Sequence, residues 1–436
     1  MLQAGVGKID ITPTVGLELT GFIARQQPSI GIHDPLFTKG LVLDDGKTKL
    51  ALVSCDLLAL SRESTQTIRS LIQKKSGIPT QHILIACTHT HSGPATVFLR
   101  NCGTVDKDWL AKLEQQIASV IIEANQNLQP VKLGFGIGQA DINLDRRAKK
   151  DLTLPAGIVD KSLGVIKVEH LSGEPLAVVL NYTCHAVVRA EKNRYFSADF
   201  PGMASDYVAS NYPNEPVVLY FNGACGNVNP IIRGGTWDDV TQLGETVGKE
   251  AVKVIDSIST TDAIPLSTVM QNVELQLKIP TIAGIEHELE TYRDKAVEIA
   301  QSNKEAPLGT DAITQRGPAA MIWWAEETLD ILKQGKQPES IPLEIQVLKL
   351  GELILVGIGA EVFCEIGLNI KKQAGSPTFI IGYANHDIGY IPTRKAFEEG
   401  GYEDTMAYRY YGNFMITRDA DHIVESTSLH LINSLP

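Results

Sequence analysis

Residues 83–95 read ILIACTHTHSGPA. The first five form a continuous apolar run, the mark of a short strand buried on both faces. The run stops at Thr88-His89-Thr90-His91-Ser92, and Gly93-Pro94 keeps it from continuing. A buried strand gains nothing from ending in two histidines and three hydroxyls. In open α/β sheets, ligands bind outside the C-terminal ends of strands. The tip of this strand is therefore read as part of a functional site.

Outward from it, strands and helices alternate. Residues 50–60 (LALVSCDLLAL) read as a buried strand, and 61–77 as a helix with an N-cap serine and a Gly77 stop. Residues 107–129 are a long amphipathic helix and 131–138 (VKLGFGIG) a strand. Residues 165–185 form a hairpin turning at Ser172-Gly173, 216–226 a strand and 237–258 a helix. From residue 266 the rhythm changes. A strand leads into two polar helices over 285–335, then a hairpin over 343–361. A helix follows from about 362, then a strand in PTFIIGYANHDIGY, and a closing helix. The fold class is α/β: three layers, a mixed central β-sheet flanked by helices, with a helical insertion or lid near 285–335. No repeat or linker divides the chain, so residues 1–436 read as one domain.

The 436 residues are 43% hydrophobic and 21% charged, with a net charge of −12. That balance argues against a nucleic-acid footprint and an anionic membrane surface. No apolar run approaches the ~20 residues that span a bilayer. The N-terminus lacks a basic, then apolar, leader, so a cytoplasmic location is the expectation. Six scattered cysteines read as free thiols in a reducing compartment.

Four further strand ends carry unusual polar residues. His185 closes NYTCH, Glu361 follows Gly359-Ala360, Tyr390 follows Gly389, and ACGNVNP brings Asn227 and Asn229 after Cys225. In an extended segment His89 and His91 face the same side. Two histidines, a carboxylate and an open position suit a catalytic zinc, but these residues lie far apart in sequence. Hydrogen-bonded structural histidines, a Glu361 placed for the helix dipole and a core Tyr390 are the plain alternatives. Cys225 as a nucleophile is a minority reading against a small buried hydrophobe. GFGIG at 134–138 mimics a dinucleotide loop but lies inside a strand with no helix behind it.

Together GVGKIDITP, HDPLFTKGLVL, CTHTHSGP, NYTCHAVV, ACGNVNP and GYIPT resemble the catalytic domain of the neutral/alkaline non-lysosomal ceramidase family. The resemblance implies a zinc-dependent amidase, one ion per chain, held by His89, His185, Glu361 and Tyr390. It implies that His91 stands beside the metal to handle protons or substrate, and it matches a family arginine to Arg146. Arg146 and Asn229, the latter read as a polar wall of the pocket, are expected to orient the substrate. The family's nucleophilic serine is replaced here within Gly226-Asn227-Val228-Asn229-Pro230, and an amide cannot stand in for a hydroxyl. With the sequence ending at Pro436, the family's C-terminal immunoglobulin-like domain is expected to be missing. The leading expectation is a hydrolase of an amide or related bond in a small soluble substrate, by metal-activated water. His91 and Tyr390 then carry the proton transfer and oxyanion stabilisation. The alternatives are a ceramidase or N-acyl-lipid amidase, and a non-catalytic binding protein on a hydrolase fold. HxH with Glu also accepts other first-row divalent ions.

Overall fold

A computed structural model describes residues 1–25, 27–148, 157–302 and 312–436. Its frame is a mixed eight-stranded sheet. Counting from one end, the strands are Val217–Asn222, Pro175–Tyr182, Ser162–His170, Gln129–Gln139, Gln3–Asp10, Phe37–Asp44, Lys49–Cys55 and Ile83–Cys87. The end pairs are parallel and the six inner strands are joined antiparallel. The two ends of the sheet also approach each other. Ser54 Oγ donates to the Tyr220 carbonyl at 2.7 Å, and Asn222 Nδ2 to the Thr88 carbonyl at 2.6 Å.

The expected mixed central sheet between helices is present, and a second sheet adds a layer to it. Thr378–Ile381, Leu353–Ile358, Ser340–Leu350, Leu266–Lys278 and Met415–Ile416 form that sheet. Alternation explains the stacking. On one face of the large sheet Leu41, Leu52, Leu84, Ile166 and Val179 pack with Leu348, Leu355 and Phe379 of the second sheet. On its other face Val42, Val53 and Ile85 meet Ile68, Ile72, Leu113 and Ile117 of helices Arg62–Ser76 and Lys107–Gln126. Helices Asp199–Ser210 and Trp237–Ser257 cover the far half of that face. Helices Cys364–Gln373 and Ala420–Ser434 cover the outside of the second sheet. The three expected layers thus become four, helix, sheet, sheet, helix. A hairpin buried on both faces reads alike in sequence whether it joins one sheet or founds another.

Local signals held where they were strong. Ser61 caps the Ser64 amide, and Gly77 ends that helix in the left-handed conformation. The strand expected over 50–60 ends at Cys55, because Leu57–Leu60 leaves the sheet. The glycines of GFGIG lie within strand Gln129–Gln139, where a Cβ at Gly134 would meet the Ser259 carbonyl oxygen at 2.2 Å. They let the end of a helix press onto the strand, and they form no dinucleotide loop. The insertion is a pair of helices, Ile282–Ser302 and Ala312–Lys333. Trp324 Nε1 donates to the Asn413 carbonyl at 3.2 Å and Arg100 Nη2 to Glu327 at 2.8 Å, fixing the pair to its surroundings. Among the described residues no helix is long and apolar enough to cross a membrane.

Candidate metal centre

Past Cys87 the chain turns sharply at His89, which takes φ +60°. A non-glycine residue there costs roughly 1 kcal/mol or more. The conformation is held by burial and by the ring of Tyr383, stacked on His89 at 3.9 Å and itself at φ +54°. His185 follows strand Pro175–Tyr182, and Glu361 follows strand Leu353–Ile358. Both sheets thus deliver their strand ends to one point. His89, His185 and Glu361 are no more than 2% exposed, and His91 is 9% exposed.

Each ring is aimed by a backbone carbonyl. His89 Nδ1 lies 2.9 Å from the Leu58 carbonyl oxygen, His91 Nδ1 3.1 Å from Gly21 and His185 Nδ1 2.7 Å from Cys225. The departure of Leu57–Leu60 from the sheet is what brings the Leu58 carbonyl to His89. A carbonyl only accepts, so each Nδ1 carries the hydrogen and Nε2 is the nitrogen turned inward, a lone-pair donor in the neutral ring. The Nε2 atoms of His89 and His91 stand 3.1 Å apart. Glu361 Oε2 is 3.1 Å from His185 Nε2 and 3.4 Å from His89 Nε2.

These are acceptors facing acceptors. Burial holds the His91 imidazole well below its ordinary range, and the neighbouring histidines push it further down. Burial lowers His185 to about 4, against the opposing pull of Glu361. Burial alone would raise the Glu361 carboxyl, but the His89 and His185 imidazoles around it hold it well below the carboxylate range. With His91 and His185 held toward the neutral form beside an ionised Glu361, ring nitrogens and a carboxylate crowd one point that a shared cation would satisfy. The ligand atoms of the three histidines all lie within 4.8 Å of one another, so the group can hold a metal ion. Nitrogen and oxygen donors about 2.1 Å from one tetrahedral ion stand about 3.4 Å apart. The observed spacings fit that arrangement.

Glycine makes two of these approaches feasible. A Cβ on Gly21, at φ +91°, would lie 2.3 Å from His91 Nδ1. One on Gly226 would lie 2.4 Å from the Glu361 carbonyl oxygen, where the Gly226 amide donates to Val362 at 2.8 Å.

The other expected residues surround this group. Tyr390 pairs with Glu361 across a short parallel bridge, and the Arg146 guanidinium lies 5.2 Å from its ring centre. Burial and the Glu361 charge push the Tyr390 hydroxyl well up, so it stays protonated. Arg146 is not a free cation: its Nε and Nη2 donate to Glu403 Oε1 at 3.0 and 2.7 Å. Asn229, on a short strand paired with Leu144, has a buried Oδ1 without a hydrogen-bond partner. Arg146, Asn229 and His185 line an outer cleft of about 1110 Å³. His89 and Glu361 line an inner chamber of about 160 Å³. His91 and Tyr390 line both. The Cys225 thiol is buried and pushed up to about 12 beside the Tyr383 hydroxyl 3.2 Å away, which rules against a nucleophile.

Sequence reasoning missed the residues that steady Glu361. The Tyr411 hydroxyl donates to its Oε1, and the Tyr383 hydroxyl reaches Oε2 at 3.5 Å. Glu403, the partner of Arg146, sits on a single π-helical turn, Glu403–Ala407. The one available signal was tyrosine density over 402–411, which has no helical or strand period.

The model of the neutral/alkaline non-lysosomal ceramidase N-terminal region matches residues 2–250. The chain is 23% identical to the neutral ceramidase of Pseudomonas aeruginosa, over 92% of this chain and 68% of that protein. It is 25% identical to neutral ceramidase B of Dictyostelium discoideum, over 54% of this chain and only 36% of that one. It superposes on the crystal structure of the Pseudomonas aeruginosa enzyme with a TM-score of 0.75 at 18% identity, covering 99% of this chain and 74% of the other. That likeness is one of fold.

Proposed function

Because the chain belongs to the neutral/alkaline non-lysosomal ceramidase family, we propose that it is a zinc-dependent hydrolase of an amide bond in a small soluble molecule. One observation carries the reading: the Nε2 atoms of His185 and His89, in rings whose Nδ1 is held on a backbone carbonyl, converge on one buried carboxylate oxygen at 3.1 and 3.4 Å. His89, His185 and Glu361 hold the ion with Tyr390, paired to Glu361, as the fourth group at it, and His91 and Tyr390 also face the substrate, since both line the two cavities. Bound there, zinc supplies Lewis-acid polarisation and an acidified water.

The chain's own groups do the rest. His91 is neutral and offers Nε2 as a proton acceptor, and the nearby Glu361 charge favours the imidazolium that forms. Its Nδ1–H stays on the Gly21 carbonyl, so the ring does not turn as the proton arrives. The protonated Tyr390 hydroxyl donates to the developing oxyanion. Asn229 Oδ1, lacking a partner, accepts from the substrate amide N–H and so orients the scissile bond. An asparagine in this loop positions substrate and forms no covalent intermediate. The six buried, unpaired cysteines suit a reducing compartment, and a cytoplasmic site of action is part of the proposal.

Metal analysis of the purified protein beside a His89→Ala/His185→Ala variant tests the reading, paired with turnover on N-acyl amines. About one zinc per native chain, absent from the variant together with hydrolysis, supports it. A native protein that takes up no zinc sinks it. A lipid amide such as ceramide is the second reading. It is favoured by an exposed aromatic pair, Phe98 and Trp323, in edge contact at 5.8 Å beside Leu99 of the inner chamber.

A further inference from the structure

The two cavities on either side of His91 and Tyr390 differ in kind as well as in size. The outer cleft, about 1110 Å³, is rimmed by charged groups of both signs, with Arg146, Arg147 and Arg233 near Glu365, Glu399 and Glu403. The inner chamber, about 160 Å³, is walled by Ile23, Leu58, Leu99 and the rings of Phe22 and Tyr410. Its polar atoms are gathered at the metal-binding end, on His89, His91 and Glu361, and on the tyrosine hydroxyls. Behind its wall, Ala320 and Met321 of helix Ala312–Lys333 are fully buried against Tyr410 and Ile23. The chamber is thus backed by packed protein among the described residues, and the cleft is the larger opening.

Building on the hydrolase reading above, we propose that the inner chamber is an acyl subsite sized for a short apolar acyl group of about six heavy atoms. The outer cleft takes a larger, polar amine portion. Size comes from direct comparison: a cavity of about 150 Å³ lined by Leu, Ile and Phe side chains holds a benzene ring. Orientation comes from the products. Hydrolysis adds water across the C–N bond and releases a carboxylic acid and an amine. The amine becomes charged on release and needs a polar route to solvent, which the charged rim of the cleft offers. The acyl chain keeps its apolar part in the chamber with its carboxyl end toward His91 and Tyr390. A sixteen-carbon chain exceeds the chamber's volume of about 160 Å³, so the same geometry favours short acyl groups over long-chain lipid amides.

The test is calorimetric binding of straight-chain carboxylates, from acetate to hexadecanoate, to the zinc-supplied protein. Affinity is expected to rise ~3–4-fold per methylene up to about six carbons and to stop rising beyond. Leu99→Trp, which fills the chamber, is expected to weaken hexanoate at least tenfold. Leu99→Ala, a milder change, is expected to move the limit outward by two or three carbons. Affinity that climbs steadily to sixteen carbons overturns the proposal. So does hexanoate binding that Leu99→Trp leaves unchanged, or zinc-loaded protein that binds none of the acids. A sharp length limit without turnover of any amide of these acids, across a panel of amines from glycine to larger polar dipeptides, would leave the subsite standing and remove the hydrolase reading. Turnover with no length limit would do the reverse.

Discussion

Two buried polar clusters sit at opposite ends of the same strand, Ile83–Cys87, and they are built by opposite rules. At its start, Arg69 donates from Nε and Nη2 to the Ile83 carbonyl at 3.0 and 2.7 Å, and forks onto both oxygens of Glu344 at 2.9 and 3.0 Å. Asn385 completes the network, donating to Glu344 and Gln346 and accepting from the Ile85 amide at 3.0 Å. Donors there meet acceptors. Past the strand's end, His89, His91, His185 and Glu361 turn ring nitrogens and a carboxylate toward one another, with each Nδ1 already held on a backbone carbonyl. A satisfied buried network fixes structure. An arrangement of lone pairs at 3.1 Å is costly unless a cation shares them, so it marks function. The two sheets are stitched at the first cluster and chemically armed at the second.

The strongest way to break this comparison is at the metal-binding end. His89→Ala/His185→Ala is expected to bring zinc below about a tenth of an ion per chain, and hydrolysis down by more than about a thousandfold. Mass spectrometry and a coupled amine assay would show it. Zinc retained in the variant would place the ion elsewhere. At the other end, Arg69→Met leaves Glu344 buried without its partner. It is expected to cost about 3–5 kcal/mol in urea unfolding while the folded fraction keeps its zinc. Loss of zinc per folded chain would mean that the two clusters are not separable.

Acid sharpens the contrast in metal-free protein. The folded pKa of His185, about 4, lies below its ordinary value of 6.5. Its contribution is therefore present above pH 6.5 and lost as pH falls toward 4, a matter of a few kcal/mol at most. Asp387, pushed up to about 7 by burial and the Glu361 charge, works the other way. Its contribution is full below its ordinary value of 3.8 and is lost as pH rises toward 7. Thermal melts from pH 7 to 4 should thus fall more steeply for Asp387→Asn than for the native chain, and less steeply for His185→Asn. Identical slopes for all three would remove both assignments. The smallest effect is expected from Asn229→Ala. Loss of one hydrogen bond to substrate should lower kcat/KM about tenfold with zinc content unchanged. Unaltered kinetics would take Asn229 out of the site.

Much of the fold was open to reading where a local rule was strong. Ser61 and Gly77 bounded a helix because capping is local chemistry, and Ser172-Gly173 turned a hairpin for the same reason. Helix Asp199–Ser210 escaped notice because Pro201 and Gly202 sit in its first turn, and its burial against Trp237–Ser257 outweighs them. At the site, HxH and the strand-end positions pointed to His89, His91, His185 and Glu361. Tyr411, Tyr383 and Glu403 left no periodic signal beyond the tyrosine density over 402–411, since their positions depend on a π turn and on left-handed residues.

The sequence by itself determined that apolar strands end in histidines, a glutamate and tyrosines, because burial on both faces demands apolar runs and tolerates polar groups only at the tips. The tertiary structure alone decided that those tips share one point. It also decided which ring nitrogen faces inward and how much space lies on either side. These follow from two sheets packed face to face and from the Leu58, Gly21 and Cys225 carbonyls that aim the rings. A carbonyl brought to a ring across tens of residues is a contact in space, which no local pattern in the chain encodes.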